Sequence, residues 1–293
     1  MAEKPSCAIQ EAFFNVPDRI IKRGLMLSPH VKRWMTAVVA VPVLFWAIAF
    51  GGRSVFFVLI AVVALTGLYE YNKMAFGKAF YVEKTATIAA GLFLLFSAFL
   101  KNIEFIVAIA VFSVMAALIL NLLRNKNHGY GSNSSSRVVL GIMYVPLLMS
   151  HFIFIRDLPS GALWVFYVLV VAFAGDIAAY YVGRTFGKKK FFAEVSPGKT
   201  TEGTLGLILG SILGSVVFII FFPLLPVHHA VLIGFFAGII GQLGDLAESV
   251  MKREAGIKDS GIILPGHGGI LDRLDCLMFI VPFVFYYREF IIK

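Results

Sequence analysis

Residues 204–224 read Thr-Leu-Gly-Leu-Ile-Leu-Gly-Ser-Ile-Leu-Gly-Ser-Val-Val-Phe-Ile-Ile-Phe-Phe-Pro-Leu, with no charged side chain among them. A helix needs about 20 apolar residues to cross the hydrocarbon core of a bilayer. This stretch is that long. Working outward, eight more stretches of the same kind appear, at 34–52, 54–70, 84–100, 103–123, 138–155, 160–182, 229–250 and 272–290. The composition agrees. Hydrophobic residues make up 59% of the 293-residue chain and charged residues 15%, against roughly 25% charged in an average soluble domain. The 29 Phe outnumber the 26 Lys and Arg together, and the mean hydropathy is +0.86. A soluble globule could not hide so much apolar surface, so a cytosolic enzyme, a secreted disulfide scaffold and a disordered chain are excluded. Cys7 and Cys276 stand far apart and suggest neither a disulfide nor a zinc cluster. The expected fold is all-α and polytopic, with about nine transmembrane helices.

The first stretch follows about 33 mostly polar residues and has no small-residue cleavage site after it, so it is expected to be a retained span. The chain then divides into a basic tail over 1–33, helices one to five over 34–155, and a third region over 156–293. That third region holds helices six to nine and the loops 183–203 and 251–271. If the stretches alternate across a membrane, 21 of the 26 Lys and Arg fall on one face. Only Arg53, Lys101, Arg156, Arg288 and Lys293 fall on the other. Basic loops stay on the cytoplasmic side, so the tail and both loops are expected there, in the inner membrane if the protein is bacterial. The net charge of +9 is then mostly topological. The tail's cations suit anionic lipid headgroups. No aromatic–basic motif for nucleic acid is present.

Polar residues inside the spans cluster in the last 120 residues. Asp176 sits in the sixth stretch. Gln242, Asp245, Ser249 and Lys252 share one helical face of the eighth, with Glu248 beside them. Asp272, Arg273 and Asp275 open the ninth. Ionisable groups in a membrane are costly and mark function. Loop 183–203 ends in Ser196-Pro-Gly-Lys199-Thr200-Thr-Glu-Gly. A P-loop would need Gly where Ala193 stands, so that reading fails. Ser196, Lys199 and Thr200 at a helix N-terminus still favour a phosphate. Loop 251–271 carries Lys258 and then His267-Gly268-Gly269, where glycines let backbone pass close to a ligand. Cations and carboxylates at one boundary suit a polyphosphate bound with Mg2+. A zinc role for His267 lacks a second His or Cys nearby. Gly206, Gly210 and Gly214, like Gly234 and Gly238, are spaced for close helix packing.

From Ser249 to Asp275 the chain reads Ser-Val-Met-Lys-Arg, four residues, Lys258-Asp-Ser-Gly-Ile-Ile-Leu-Pro-Gly-His267-Gly-Gly-Ile-Leu-Asp272-Arg-Leu-Asp275. This resembles the signature of the phosphatidate cytidylyltransferase, or CDP-diacylglycerol synthase, family. Gly244–Ser249, Ser196–Gly203 and the surroundings of Asp176 look like further motifs of that family, although it often has Lys where Gly198 stands. The first 150 residues match it only as generic spans. The resemblance implies that CTP and phosphatidate react to CDP-diacylglycerol and pyrophosphate. It implies Mg2+ with a second cation, K+ being a candidate, and a homodimer. It assigns the metal to Asp245 and Asp272, with Asp275 and Glu248 as supporting carboxylates.

The chemistry can be reasoned alongside. Phosphatidate is a phosphomonoester with a second pKa of about 6, by analogy with phosphoserine, so its own oxygen can attack the α-phosphorus of CTP. The obstacle is repulsion between two anions, which the protein must align and neutralise. Lys199, Lys252, Lys258 and Arg273 are the candidate counter-charges. A secondary transporter would instead show repeated halves with polar residues near mid-membrane. A CDP-alcohol phosphotransferase would show an Asp-Gly dipeptide, which this chain lacks. A cytidylyltransferase acting on another lipid phosphate, such as an isoprenoid phosphate, is the closest competing reading.

Overall fold

The computed structural model describes residues 29–78, 80–128, 134–263 and 268–292. The helices are α1 (Pro29–Ala49), α2 (Gly52–Phe76), α3 (Tyr81–Phe99), α4 (Ile103–His128) and α5 (Ser134–Arg156). They continue as α6 (Gly161–Phe186), α7 (Thr201–Phe221), α8 (Val227–Glu254) and α9 (Leu271–Tyr287). Each apolar stretch read from the sequence lies on one of them, and no strand occurs among the described residues. Seven of them, α2 to α8, are long and apolar enough to cross a membrane, which makes this an integral membrane protein. Helices α1 and α9 complete the nine helices and are not among those seven. In α1, Ala37–Ala49 forms an apolar helical segment. Helix α9 has 17 residues and spends its opening on Asp272, Arg273 and Asp275. It then widens into a π-helical turn, Arg288–Ile292. Helix α5 is also interrupted, by a π-turn at Met143–Leu147 around Pro146, which has no N–H to give the ladder.

The buried core runs through α2, α3, α5, α6, α8 and α9, for example Leu68, Leu94, Val145, Val168, Ile233 and Met278, each fully buried. Small residues set how closely helices approach. A Cβ added to Gly206 would lie 2.7 Å from Val182 Cβ, and one on Gly210 would lie 2.6 Å from the carbonyl oxygen of Ala174. On α8, a Cβ at Gly234 would lie 2.6 Å from Ile212 Cα. The glycine spacing therefore builds the α6–α7–α8 contact. Gly210→Val should destabilise the fold by about 1–3 kcal/mol through overpacking, read as a lowered thermal midpoint in detergent. Leu209→Val is the control, since Leu209 faces outward.

Contacts tie the helix ends into two groups. At one end, Arg137 of α5 donates to the carbonyl of Ala75 in α2, at 2.8 Å. Arg253 of α8 reaches the carbonyl of Val195 between α6 and α7, at 3.1 Å. At the other end, Asp157 collects Arg53 at 2.8 Å and Lys101 at 3.4 Å. The connections carrying the conspicuous motifs belong to the first group.

Candidate active site

The segment between α6 and α7 folds back on itself. The Phe191 N–H donates to the Lys199 carbonyl at 3.0 Å, and the Thr201 N–H to the Lys189 carbonyl at 2.9 Å. Glu202, in the first turn of α7, accepts from the Lys188 N–H at 3.0 Å. Thr200 is the N-cap, its Oγ1 accepting from the Gly203 N–H at 3.1 Å. The Ser196 carbonyl accepts from the Lys199 N–H at 3.2 Å and closes the turn before it. This frame turns Lys199 toward α8, where its Nζ lies 2.7 Å from Asp245 Oδ2.

A cavity of about 540 Å³ opens beside that ion pair. Asp176, Tyr180 and Arg184 of α6 line it, with Gly198, Lys199, Thr200 and, on α8, Gln242 and Asp245. Asp176 is within electrostatic reach of Asp245, Lys199 and Arg273. The structure thus brings together four of the expected site residues, Asp176 and Asp245 from two helices and Lys199 and Thr200 from the segment before α7.

A second group adjoins the first through α8. Lys252 Nζ lies 2.6 Å from Glu248 Oε2 and 2.7 Å from Asp272 Oδ1. Glu248 is completely buried and Lys252 is 8% exposed. A charge held so far from water needs a partner, and here one ammonium serves two carboxylates. Asp272 Oδ2 also accepts from the Gly269 N–H at 2.9 Å and the Ser260 N–H at 3.0 Å. Gly268 has φ +89°, a backbone that disfavours a side chain. Asp275 lies within electrostatic reach of both Asp245 and Glu248, so the two groups form one polar centre. Helices α8 and α9 approach closely there: a Cβ on Gly244 would lie 2.5 Å from the Asp275 carbonyl oxygen.

Lys258 is exposed on the loop surface and Arg273 is exposed at the start of α9. His267 lies outside the described residues. Among the described residues, no three His, Cys, Asp or Glu side chains come together as a metal cage. The donor chemistry still suits a hard cation. The acceptors are carboxylate oxygens, Asp245 and Asp272 each already face an ammonium, and Glu248 Oε1 is buried with no hydrogen-bond partner.

With this geometry in place, similarity to known proteins becomes informative. The profile of the cytidylyltransferase family matches residues 31–291. The chain belongs to the cytidylyltransferase family. It is 32% identical over 285 residues to the phosphatidate cytidylyltransferase of Synechocystis sp., covering 87% of this chain and 95% of that one. It is 31% identical over 257 residues to that of Staphylococcus haemolyticus, covering 85% and 95%. Identity to the Bacillus subtilis phosphatidate cytidylyltransferase is 39% over 180 residues, 61% of this chain and 66% of that one.

As a cytidylyltransferase family member the chain is a nucleotidyltransferase, and its polar centre has a contributor that the motifs did not point to. Glu70, on α2, is 1% exposed. Its Oε2 accepts from the Leu271 N–H at 2.9 Å and from Ser260 Oγ at 3.2 Å. The Gly269 backbone passes close to this pair: a Cβ there would overlap Ser260 Oγ and lie 2.6 Å from Glu70 Oε2. No local signal marks Glu70 in the sequence, where it reads as the polar end of an apolar stretch.

Proposed function

We propose that this cytidylyltransferase family member joins the cytidylyl group of CTP to phosphatidate, giving CDP-diacylglycerol and pyrophosphate. The observation that carries the proposal is the pair of lysine–carboxylate contacts, Lys199–Asp245 and Lys252–Asp272, beside a polar cavity at one end of apolar helices. The names of the relatives support the substrates. The basic loops support a site on the cytoplasmic side, with nine crossings of the inner membrane and the tail in the cytoplasm. Acyl chains then stay among the helices while the headgroup meets a soluble nucleotide.

A phosphate oxygen of phosphatidate forms a bond to the α-phosphorus of CTP. The bond from that phosphorus to the oxygen bridging to the β-phosphate breaks, and its electrons leave with pyrophosphate. Lys199, on the cavity wall, meets phosphate oxygens and offsets the charge that grows as pyrophosphate departs. Arg273 at the start of α9, within electrostatic reach of Asp176, and Lys258 on the loop add positive charge to its surroundings. Lys252 is held between Glu248 and Asp272 and fixes α8 against α9. Asp272 fixes the backbone of Ser260 and Gly269. Asp245 and Asp272, supported by Asp275 and Glu248, are the residues that would hold Mg2+, which when bound neutralises phosphate oxygens and polarises the α-phosphorus.

The test is purified protein with labelled CTP, phosphatidate and Mg2+, with and without chelator. Pyrophosphate release should require phosphatidate and fall to background when the divalent ion is removed. Turnover with ATP equal to that with CTP would refute the nucleotide. Faster turnover of an isoprenoid phosphate would refute the acceptor. Chelator-resistant release would refute the metal.

A further inference from the structure

The polar centre rests on a residue from the other half of the chain. Glu70 lies six residues before the end of α2 and accepts from Ser260 on one flank of the α8–α9 loop and from Leu271 on the other. The same two flanks are fastened to Asp272, through the Ser260 and Gly269 N–H groups. Ser260 is thus held twice, by its hydroxyl to Glu70 and by its N–H to Asp272, and it is 3% exposed. Two glycines make room for the carboxylate. A Cβ on Gly261 would overlap Glu70 Oε1, and one on Gly269 would lie 2.6 Å from Oε2 and 2.8 Å from the Gly261 N–H nitrogen.

Burying a carboxylate is costly unless it is hydrogen-bonded, and Glu70 Oε1 has no hydrogen-bond partner. Its two donors are neutral, so pairing of charge does not explain its place. A glutamine could accept from the same hydroxyl and N–H. What the side chain supplies is position: it joins the two flanks of the loop to the rigid end of α2.

We propose that Glu70 is a positioning residue for nucleotidyl transfer, seating Ser260 and Leu271, the two flanks of the α8–α9 loop, so that Asp272 meets Lys252 in register. Its effect on turnover rests on the function proposed above, whereas its effect on the loop does not. A misplacement of about 1 Å away from the chemistry can slow a reaction by about 100-fold. Glu70 does not line the cavity beside Lys199, so its loss acts through Asp272.

The experiment compares Glu70→Ala, Glu70→Gln and Ser260→Ala in the full-length protein. It reads kcat and KM for CTP, and backbone hydrogen–deuterium exchange. Glu70→Ala should lower kcat by about 10- to 100-fold, the scale of a misplaced group, with a much smaller change in KM. Glu70→Gln should recover most of that loss, because it keeps an acceptor for Leu271 and Ser260. Exchange should rise in 259–263 and 268–272 in Glu70→Ala and stay at the wild-type level in the other helices. Increased exchange throughout the helices would reduce Glu70 to a general stabiliser and overturn the proposal, as would Glu70→Gln being as slow as Glu70→Ala. If Glu70→Ala does not fold, Ser260→Ala decides: loosening confined to the loop supports the proposal, and an unchanged loop overturns it. If the wild-type protein shows no turnover of CTP, the proposed reaction fails, and the exchange comparison still decides the role of Glu70.

Discussion

Asp272→Asn should abolish pyrophosphate release while leaving a folded protein in the membrane. The side chain is an acceptor on every side. Oδ1 faces Lys252 Nζ at 2.7 Å, and Oδ2 faces the N–H groups of Gly269 at 2.9 Å and Ser260 at 3.0 Å. Asparagine keeps one acceptor oxygen and puts an NH2 where the other stood. Whichever way it turns, a donor meets a donor. Turned one way, Lys252 loses a partner; turned the other, the loop flanks lose theirs. Lys252 keeps Glu248 at 2.6 Å in both cases, so the interior is left without a bare cation. The loss in rate should be at least ~100-fold, the scale of a lost preorganised group or a misplaced one. The thermal midpoint should fall far less than the rate. Initial rates of pyrophosphate release, with thermal unfolding in the same detergent, check both. Full turnover in Asp272→Asn would remove this residue from the proposed site.

The parts of this arrangement that repeat along the chain could be read from the sequence. A charge-free run such as 204–224 leaves few choices, and a helix follows there. The spacing of Gln242, Asp245, Ser249 and Lys252 put them on one face, and all four turn inward or toward the cavity. Gly206, Gly210 and Gly214 announced tight packing, and α6 lies against them. Long-range pairing could not be read in the same way. Glu70 meets Ser260 and Leu271 across 190 and 201 residues of chain. Helical periodicity says which face a residue occupies and nothing about which distant loop will land there. The start of α9 was obscured for another reason. Charged residues within an otherwise apolar stretch shorten the part that suits lipid, and the length of the stretch alone does not reveal it. The cap at Thr200 also needed coordinates, which place its Oγ1 as the acceptor for the Gly203 N–H at the start of α7.

Lys252→Met should produce the largest loss of stability. The substitution keeps an unbranched apolar chain of similar length and removes only the ammonium. What remains is Glu248, with no exposure, and Asp272, with a side chain 11% exposed, turned toward each other around a missing positive charge. Breaking a buried ion pair from one side costs about 3–5 kcal/mol, because the surviving charge is left without compensation. Removing both charges is a different experiment. Lys252→Met combined with Glu248→Gln leaves a neutral amide in place of the buried carboxylate, while Asp272 keeps its two backbone donors, Gly269 and Ser260. The double variant should therefore unfold closer to the wild type than Lys252→Met does. The cycle's coupling term should be about 0.5–3 kcal/mol, as for residues in direct contact. Turnover should not return with stability, because the cation that holds Asp272 in register is absent from both variants. Thermal or denaturant unfolding of the four proteins, with their rates, separates the two outcomes. Equal stability of Lys252→Met and wild type would mean that water already compensates these charges and that Lys252 does not hold α8 to α9.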